Sequence, residues 1–147
     1  MTLNIEKLTR EHLKAVDIFD KDKHIIDLYS YASDEVLGTM GVAYIRGGKV
    51  IGCGGVAPLW EGVGQSWMVC GKDYMKYWVS VGRLMIDTIE SAFTVFNLRR
   101  IQGTTEVDNE VSIRFHEWAG YKKEGILKAY GSDGSDHIMF ARLRDVS

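Results

Sequence analysis

Several side chains in this 147-residue chain have the types and spacing to do chemistry. His116 carries an imidazole, which gives or takes a proton near neutral pH because its unperturbed pKa is about 6.5. Ser80, Val81, Gly82 and Arg83 open the longest helical pattern in the chain. A helix start with small residues and a cation can hold an anion on its open amides and dipole. Glu61 is a carboxylate in a turn-like stretch, and Asn109 stands where a short acceptor caps a helix. Each has a plainer reading. His116 beside an apolar helix face can be a partly buried, hydrogen-bonded residue, Glu61 a solvated turn carboxylate, and Asn109 simply a cap.

These residues need elements to hold them. Residues 108–125 read as a short amphipathic helix between strands, capped by Asp108 or Asn109. Val111, Phe115 and Trp118, spaced by four and three, give the expected apolar face. Gly120 suits a left-handed helix end, and Tyr121 supplies the apolar contact that closes such ends. The long helix is expected to start at a Ser80 cap and stop at Asn97. Its core face carries Leu84, Met85, Ile89, Ala92, Phe93 and Phe96. Just upstream, residues 65–70 form a strand through Trp67, Met68 and Val69.

The remaining segments complete an α+β order. Residues 3–7 suit an edge strand. Thr9 then caps a helix reaching Phe19, with Leu8 and Leu13 as its hydrophobic staple. The charged residues 20–24 break that helix, and a second one carries Ile25, Ile26, Leu28 and Tyr29. Strands over 40–46 and 49–57 are joined at Gly47-Gly48, a two-residue hairpin signal. Gly52, Gly54 and Gly55 would weaken a plain strand and point to a bulge or close backbone approach. Pro58 is expected to end that strand, with a turn over 60–64. Strands follow over 99–107, 122–130 and 137–143, the last two joined by a Gly- and Asp-rich turn. The pattern predicts one domain over 1–147, with a mixed, mostly antiparallel central sheet flanked by helices.

Composition narrows the function classes. Apolar residues make up 46% and charged residues 26%, with a formal net charge of -2. That balance carries no basic footprint for nucleic acid or an anionic membrane. No run is long enough to span a bilayer, and the N-terminal stretch has no signal-peptide core. Cys53 and Cys70, isolated in apolar surroundings, read as buried free thiols. A reducing compartment follows: the cytoplasm, or a host cytoplasm for a viral gene. No metal-ligand spacing stands out.

Asn109, Ser112, Ile113, Arg114, Phe115, Glu117, Gly120, Tyr121 and Gly125 closely resemble the N-x-x-(A/S)-I-x-x-Y-E-x-x-G-F-x-x-x-G signature of the GNAT superfamily of N-acetyltransferases. The order of elements is similar over essentially the full length. The resemblance implies an acetyl-CoA-dependent transfer of an acetyl group to a protein N-terminus, a lysine or a small amine. It assigns the thioester carbonyl contact to the fourth strand, around Met68 and Val69, and the pyrophosphate to Ser80, Val81, Gly82 and Arg83. Of the family's Q/R-x-x-G-x-G/A loop, only Gly82 matches, with Arg83 after it; Tyr77 and Trp78 are bulky, and Lys72 or Lys76 could assist. Asn109 would contact the cofactor arm. His116 occupies the place of the family's tyrosine acid, and Glu61 is the candidate base, acting through water. Asp133 and Asp136 of the last hairpin could face a cationic acceptor. The alternative is a GNAT-fold protein without catalysis, a binding or assembly module similar to some of tailed bacteriophages. Tyr74, Tyr77 and Trp78, expected to be exposed, would suit a homodimer or protein interface in that reading and equally a substrate lid in the first.

Overall fold

Local chemistry sets most element boundaries in the computed structural model, which describes residues 2–29 and 31–145. The side chains of Lys21, Ile25 and Leu28 lie outside the described residues, and with them part of the apolar face expected for the second helix. Strand β1 (Leu3–Lys7) leads into α1 (Arg10–Ala15). The Thr9 hydroxyl accepts the His12 amide at 3.4 Å, and His12 Nδ1 accepts the Thr9 amide at 3.0 Å. Leu8 and Leu13 flank this cap and are both buried, as a staple requires. The helix stops at Ala15 rather than Phe19, because Val16 turns extended and enters the core.

A single 3-10 turn (Asp20–Asp22) precedes α2 (Lys23–Tyr29) and α3 (Asp34–Met40), one helix more than expected. Ser33 caps α3 by accepting the Val36 amide at 3.3 Å. Strands β2 (Val42–Arg46) and β3 (Lys49–Trp60) then pair antiparallel. Gly47 and Gly48 both have positive φ, at 58° and 76°, as a primed two-residue turn demands. The register skips Ile51, so a bulge sits where the glycines are. A Cβ on Gly52 would lie 2.9 Å from the Val69 carbonyl oxygen, and one on Gly54 2.9 Å from that of Trp67.

Pro58 does not end β3, which continues to Trp60. β2 pairs with it only as far as Gly54, so a missing N–H breaks no rung on that edge. The turn shrinks to Glu61 and Gly62, and β4 (Val63–Cys70) starts earlier than expected. After a 3-10 turn (Tyr74–Lys76), α4 runs Trp78–Val95. Ser80 therefore lies inside its first turn and does not cap it. Asn97 does mark its end, at φ 51°. There follow β5 (Arg100–Glu106), α5 (Glu110–Trp118), β6 (Lys122–Leu127) and β7 (His137–Leu143). β6 stops short of Tyr130, since Ala129 at φ 53° cannot continue a ladder.

The strands form one seven-stranded sheet ordered β1-β2-β3-β4-β5-β7-β6. It is mostly antiparallel, with a parallel rung set joining Val63, Gly64 and Gln65 to Arg100, Ile101 and Gln102. The described residues cluster into two compact units, one within 1–57 and 67–88, the other within 58–66 and 89–147; β3, β4 and α4 run through both. In the first unit Leu8, Leu13, Leu37, Ala43 and Cys53 pack with Trp67, whose ring stacks on Tyr29 at 4.6 Å. Its indole N–H donates to the Met40 carbonyl at 3.1 Å. The second unit is built on the full-length β5–β7 pairing, with Ile101, Ile138 and Phe140 buried. The α4 core face is as expected: Met85, Ile89, Ala92 and Phe93 are buried, with Leu84 and Phe96 half-buried.

Both cysteines are free, Cys53 buried and Cys70 half-buried, and burial pushes both thiols up to about 12, which keeps them protonated. Among the described residues, no helix is long and apolar enough to cross a membrane, and no His/Cys/Asp/Glu group could hold a metal.

Candidate active site

Alternation along β5 turns Ile101, Gly103 and Thr105 to the buried face. In the antiparallel register with β7, Gly103 stands opposite Phe140. A position without a side chain thus lies beside an aromatic ring, and α5 places His116 over both. Asn109 caps α5, its Oδ1 accepting the Ser112 amide at 3.2 Å. Gly120, at φ 87°, ends it: the Tyr121 amide donates to the His116 carbonyl at 2.9 Å and the Gly120 amide to that of Glu117 at 3.1 Å.

The inward face of α5 differs from the expected one. Val111 and Trp118 are 51% and 45% exposed and Phe115 is half-buried, whereas His116 and Ala119 are buried. The spacing of the face is right and its centre is one residue off, a rotation of about 100°. The bare face of Gly103 accounts for the difference. It admits a flat ring where the wider indole of Trp118 would need more room.

His116 is fixed on every side by residues of the second unit. Its ring stacks on Phe140 (4.8 Å between centroids, 15° between planes) and meets Tyr121 edge-on at 5.1 Å. Nδ1 lies 2.7 Å from the Ser112 carbonyl oxygen. A carbonyl only accepts, so Nδ1 carries the proton and Nε2 the lone pair. Nε2 has no hydrogen-bond partner among the described residues, and it would stand 3.1 Å from a Cβ placed on Gly103. Burial lowers the imidazole pKa, with the Ser112 carbonyl opposing it more weakly. The ring is therefore neutral at pH 7 and, at Nε2, a proton acceptor.

This has a consequence for stability. The unfolded imidazole titrates near 6.5, and the folded one lower, so the unfolded chain binds the extra proton first. The contribution of neutral His116 is present above about 6.5 and is lost as pH falls through the lower folded value. Urea midpoints measured from pH 7.5 to 5 are expected to fall less steeply in His116→Phe than in the parent chain. Parallel curves would show that His116 does not titrate between the two states.

Glu61 is exposed in the β3–β4 turn of the same unit. Arg99 holds that turn, its guanidinium donating to the Glu61 carbonyl at 3.1 Å and its amide to that of Gly62 at 2.8 Å. The attachment is at Arg99 and Arg100, about 10 Å along β5 from Gly103. No hydrogen bond joins Glu61 to His116 among the described residues. Asp133 and Asp136 build their own turn: Asp133 accepts the Ser135 amide at 3.0 Å, and Asp136 accepts the Ala129 amide at 2.9 Å and pairs with Lys128 at 3.1 Å.

The first unit holds the other expected residues. Val69 is buried and Met68 half-buried on β4. The Trp67 and Val69 carbonyls face Gly54 and Gly52 of β3, so alternation turns the Met68 backbone groups to the opposite edge of β4. Val81 and Gly82 are buried in α4, while Ser80 and Arg83 are exposed. The first turn of α4 contains no acidic residue. Lys72 pairs with Asp17 at 3.6 Å and Lys76 with Asp73 at 3.5 Å. Tyr74 is buried, contrary to expectation, because its 3-10 turn tucks the ring inward. Tyr77 is half-buried and accepts a 2.8 Å hydrogen bond from Arg46, whose guanidinium also lies 4.5 Å over its ring. Trp78 is 49% exposed.

Sequence reasoning passed over Ser66, Gly103 and the Tyr121 hydroxyl. Tyr121 Oη donates to Ser66 Oγ at 2.9 Å, and Ser66 Oγ donates to the Gln102 carbonyl at 3.2 Å. The available signals were a glycine inside a seven-residue strand and a tyrosine where the family motif has phenylalanine.

No family model and no curated protein sequence matches this chain. Its fold, however, is that of solved GNAT acetyltransferases. Ard1 from Thermoplasma volcanium is similar at a TM-score of 0.77 and 17% identity, over 97% of this chain and 98% of that one. The ribosomal-protein-S5-alanine acetyltransferase from Vibrio fischeri is similar at 0.76 and 17%, over 99% and 94%. A GNAT-family acetyltransferase from Bacillus anthracis is similar at 0.70 and 20%, over 97% and 95%. The expected mixed, mostly antiparallel GNAT-like sheet is thus the one present.

Proposed function

We propose that residues 1–147 act as one GNAT-type acyltransferase domain, which moves an acetyl group from acetyl-CoA to an amine on a protein N-terminus, a lysine or a small molecule. The observation carrying this reading is the neutral, tautomer-fixed His116 imidazole, with a partnerless Nε2 over the bare face of Gly103. Support comes from the fold shared over nearly the whole chain, and from the ribosomal-protein alanine named for one neighbour.

In this reading the start of α4 takes the pyrophosphate. Amides of a helix's first turn have no partner within the helix, and here that turn carries no acidic residue and Arg83 is exposed. The Met68 amide, turned away from β3, donates to the thioester carbonyl oxygen as charge builds there. The Asn109 side chain, beyond its capping bond, contacts the pantetheine arm. The attacking amine forms the new N–C bond and gives its proton to His116 Nε2. When the C–S bond breaks, the protonated Nε2 returns that proton to the departing thiolate, so one imidazole is base and then acid. Glu61, through water, would collect the proton of an amine arriving as ammonium.

The bulk of Tyr77 and Trp78 at the start of α4 favours the second reading, a GNAT-fold module that binds or assembles without transfer, as a homodimer or with a protein partner. The free, protonated thiols favour a cytoplasmic setting in either case. Calorimetric titration with acetyl-CoA decides between the two. Saturable heat and a rise in melting temperature are expected. Their absence at millimolar ligand overturns the acyltransferase reading.

A further inference from the structure

The parallel rungs between β4 and β5 end at Gln65 and Gln102. That last rung is clamped by side chains: Gln102 Nε2 donates to Gln65 Oε1 at 3.2 Å, and Arg100 Nε donates to Gln102 Oε1 at 3.0 Å. At the next residue the backbone pattern gives way to a side-chain one. Ser66 Oγ takes the Gln102 carbonyl, and Tyr121 Oη, from the segment after α5, donates to Ser66 Oγ. Ser66 Oγ and His116 Nε2 would stand 2.7 Å and 3.1 Å from the same added Cβ, on Gly103. The hydroxyl chain and the partnerless imidazole nitrogen therefore converge on one glycine. The Tyr121 ring stands at a right angle to the His116 ring, 5.1 Å away between centroids.

We propose that Tyr121 and Ser66 are positioning residues for His116: their hydrogen-bonded pair anchors the Tyr121 ring to the Gln102 carbonyl, and the anchored ring holds Nε2 over Gly103. The role rests on the acyl-transfer reading for its catalytic meaning but not for its geometry. Burial raises the Tyr121 phenol to about 12, so at working pH it stays an O–H donor and never competes for the proton His116 handles. The groups packed on the imidazole are Ser112 and Phe115 of its own helix, Phe140 of β7, Tyr121, and Gly103 of β5. Tyr121 is the titratable one among them. The charge acting on Tyr121 is that of Arg142, which is engaged by the Ala119 carbonyl and Glu90 at 3.1 and 3.2 Å.

The test uses Tyr121→Phe and Ser66→Ala, which break the same chain from opposite ends and leave the aromatic packing in place. Nitrogen NMR of the intact protein reads the His116 tautomer and titration midpoint without any substrate. In both variants water gains access to the ring, so the midpoint is expected to move up toward the ordinary histidine value. With acetyl-CoA and an amine, kcat is expected to fall roughly tenfold with little change in the acetyl-CoA KM, and its pH midpoint to move with the NMR one. The double variant is expected to lose no more than either single one. Unchanged tautomer and midpoint in both variants overturn the positioning role. Absence of turnover in the parent chain overturns the transfer reading instead, and the NMR result still decides the role of the pair.

Discussion

Gly55→Val is expected to leave the chain without a cooperative unfolding transition. Gly55 is buried on β3, and a Cβ there would lie 2.3 Å from the Met40 carbonyl oxygen and 2.6 Å from the Gly41 Cα. Both obstacles are backbone, at the junction where α3 hands over to β2, so no side-chain rotation relieves them. Overpacking a core usually costs about 1–3 kcal/mol when side chains can give way. Here the whole helix-to-strand junction must move, and about 3 kcal/mol is a lower figure, against a total stability of about 5–15 kcal/mol for a domain of ordinary size. Gly125→Ala is the control, since an added Cβ at that site meets nothing within 4 Å. It is expected to stay within about 0.5 kcal/mol of the parent. Thermal and urea melts followed by circular dichroism compare them. A Gly55→Val protein that melts like the parent would mean that α3 does not approach β3 as described.

The second large effect, on the acyl-transfer reading proposed above, is catalytic. His116→Phe keeps a flat ring stacked on Phe140 and removes only the nitrogens. The Ser112 carbonyl loses the Nδ1 proton but is also the i to i−4 acceptor of the α5 ladder, so it is not stranded. Folding should therefore survive the change. General acid–base groups typically contribute about 10²–10⁴-fold, and kcat is expected to fall in that range with the acetyl-CoA KM held. In the parent chain kcat should rise with pH as Nε2 loses its proton, with a midpoint below the ordinary 6.5 because burial favours the neutral ring. That limb should vanish in the variant. A rate that instead rises toward acid would make the imidazolium the working form. An unchanged rate would remove His116 from the reaction altogether.

The two predictions differ in how far their residues could be read from the chain. Gly55, with Gly52 and Gly54, announced a close approach, because three glycines in a strand forfeit side-chain packing for some other gain. What approaches is a matter of distant segments: α3 at Gly55, β4 at Gly52 and Gly54. The caps were likewise legible. Thr9, Asn109, Asn97 and Gly120 all stand where their short-range hydrogen bonding or positive φ places them. Ser80 does not cap α4, because the helix begins two residues earlier, at Trp78, directly after the preceding 3-10 turn.

Rotation about a helix axis is where local reading gave out. The spacing of four and three in α5 fixes an apolar stripe, but moving that stripe by one residue leaves the spacing intact. Val111, Phe115 and Trp118 satisfied it on paper, and His116 and Ala119 occupy it in the fold. The choice depends on the surface α5 meets, a bare Gly103 beside the Phe140 ring, set by strand pairing between residues nearly forty positions apart. The chemistry of His116 follows from the same placement. Type and position suggested a proton carrier in the family's acid position. Burial against Phe140 and Tyr121 keeps the ring neutral, and the Ser112 carbonyl holds the proton on Nδ1, which leaves the lone pair at Nε2. Caps, turns and close approaches were written in neighbouring residues, because the forces behind them act within a few positions. The proton's location was not, because burial and hydrogen bonding at a single nitrogen depend on five segments meeting in space.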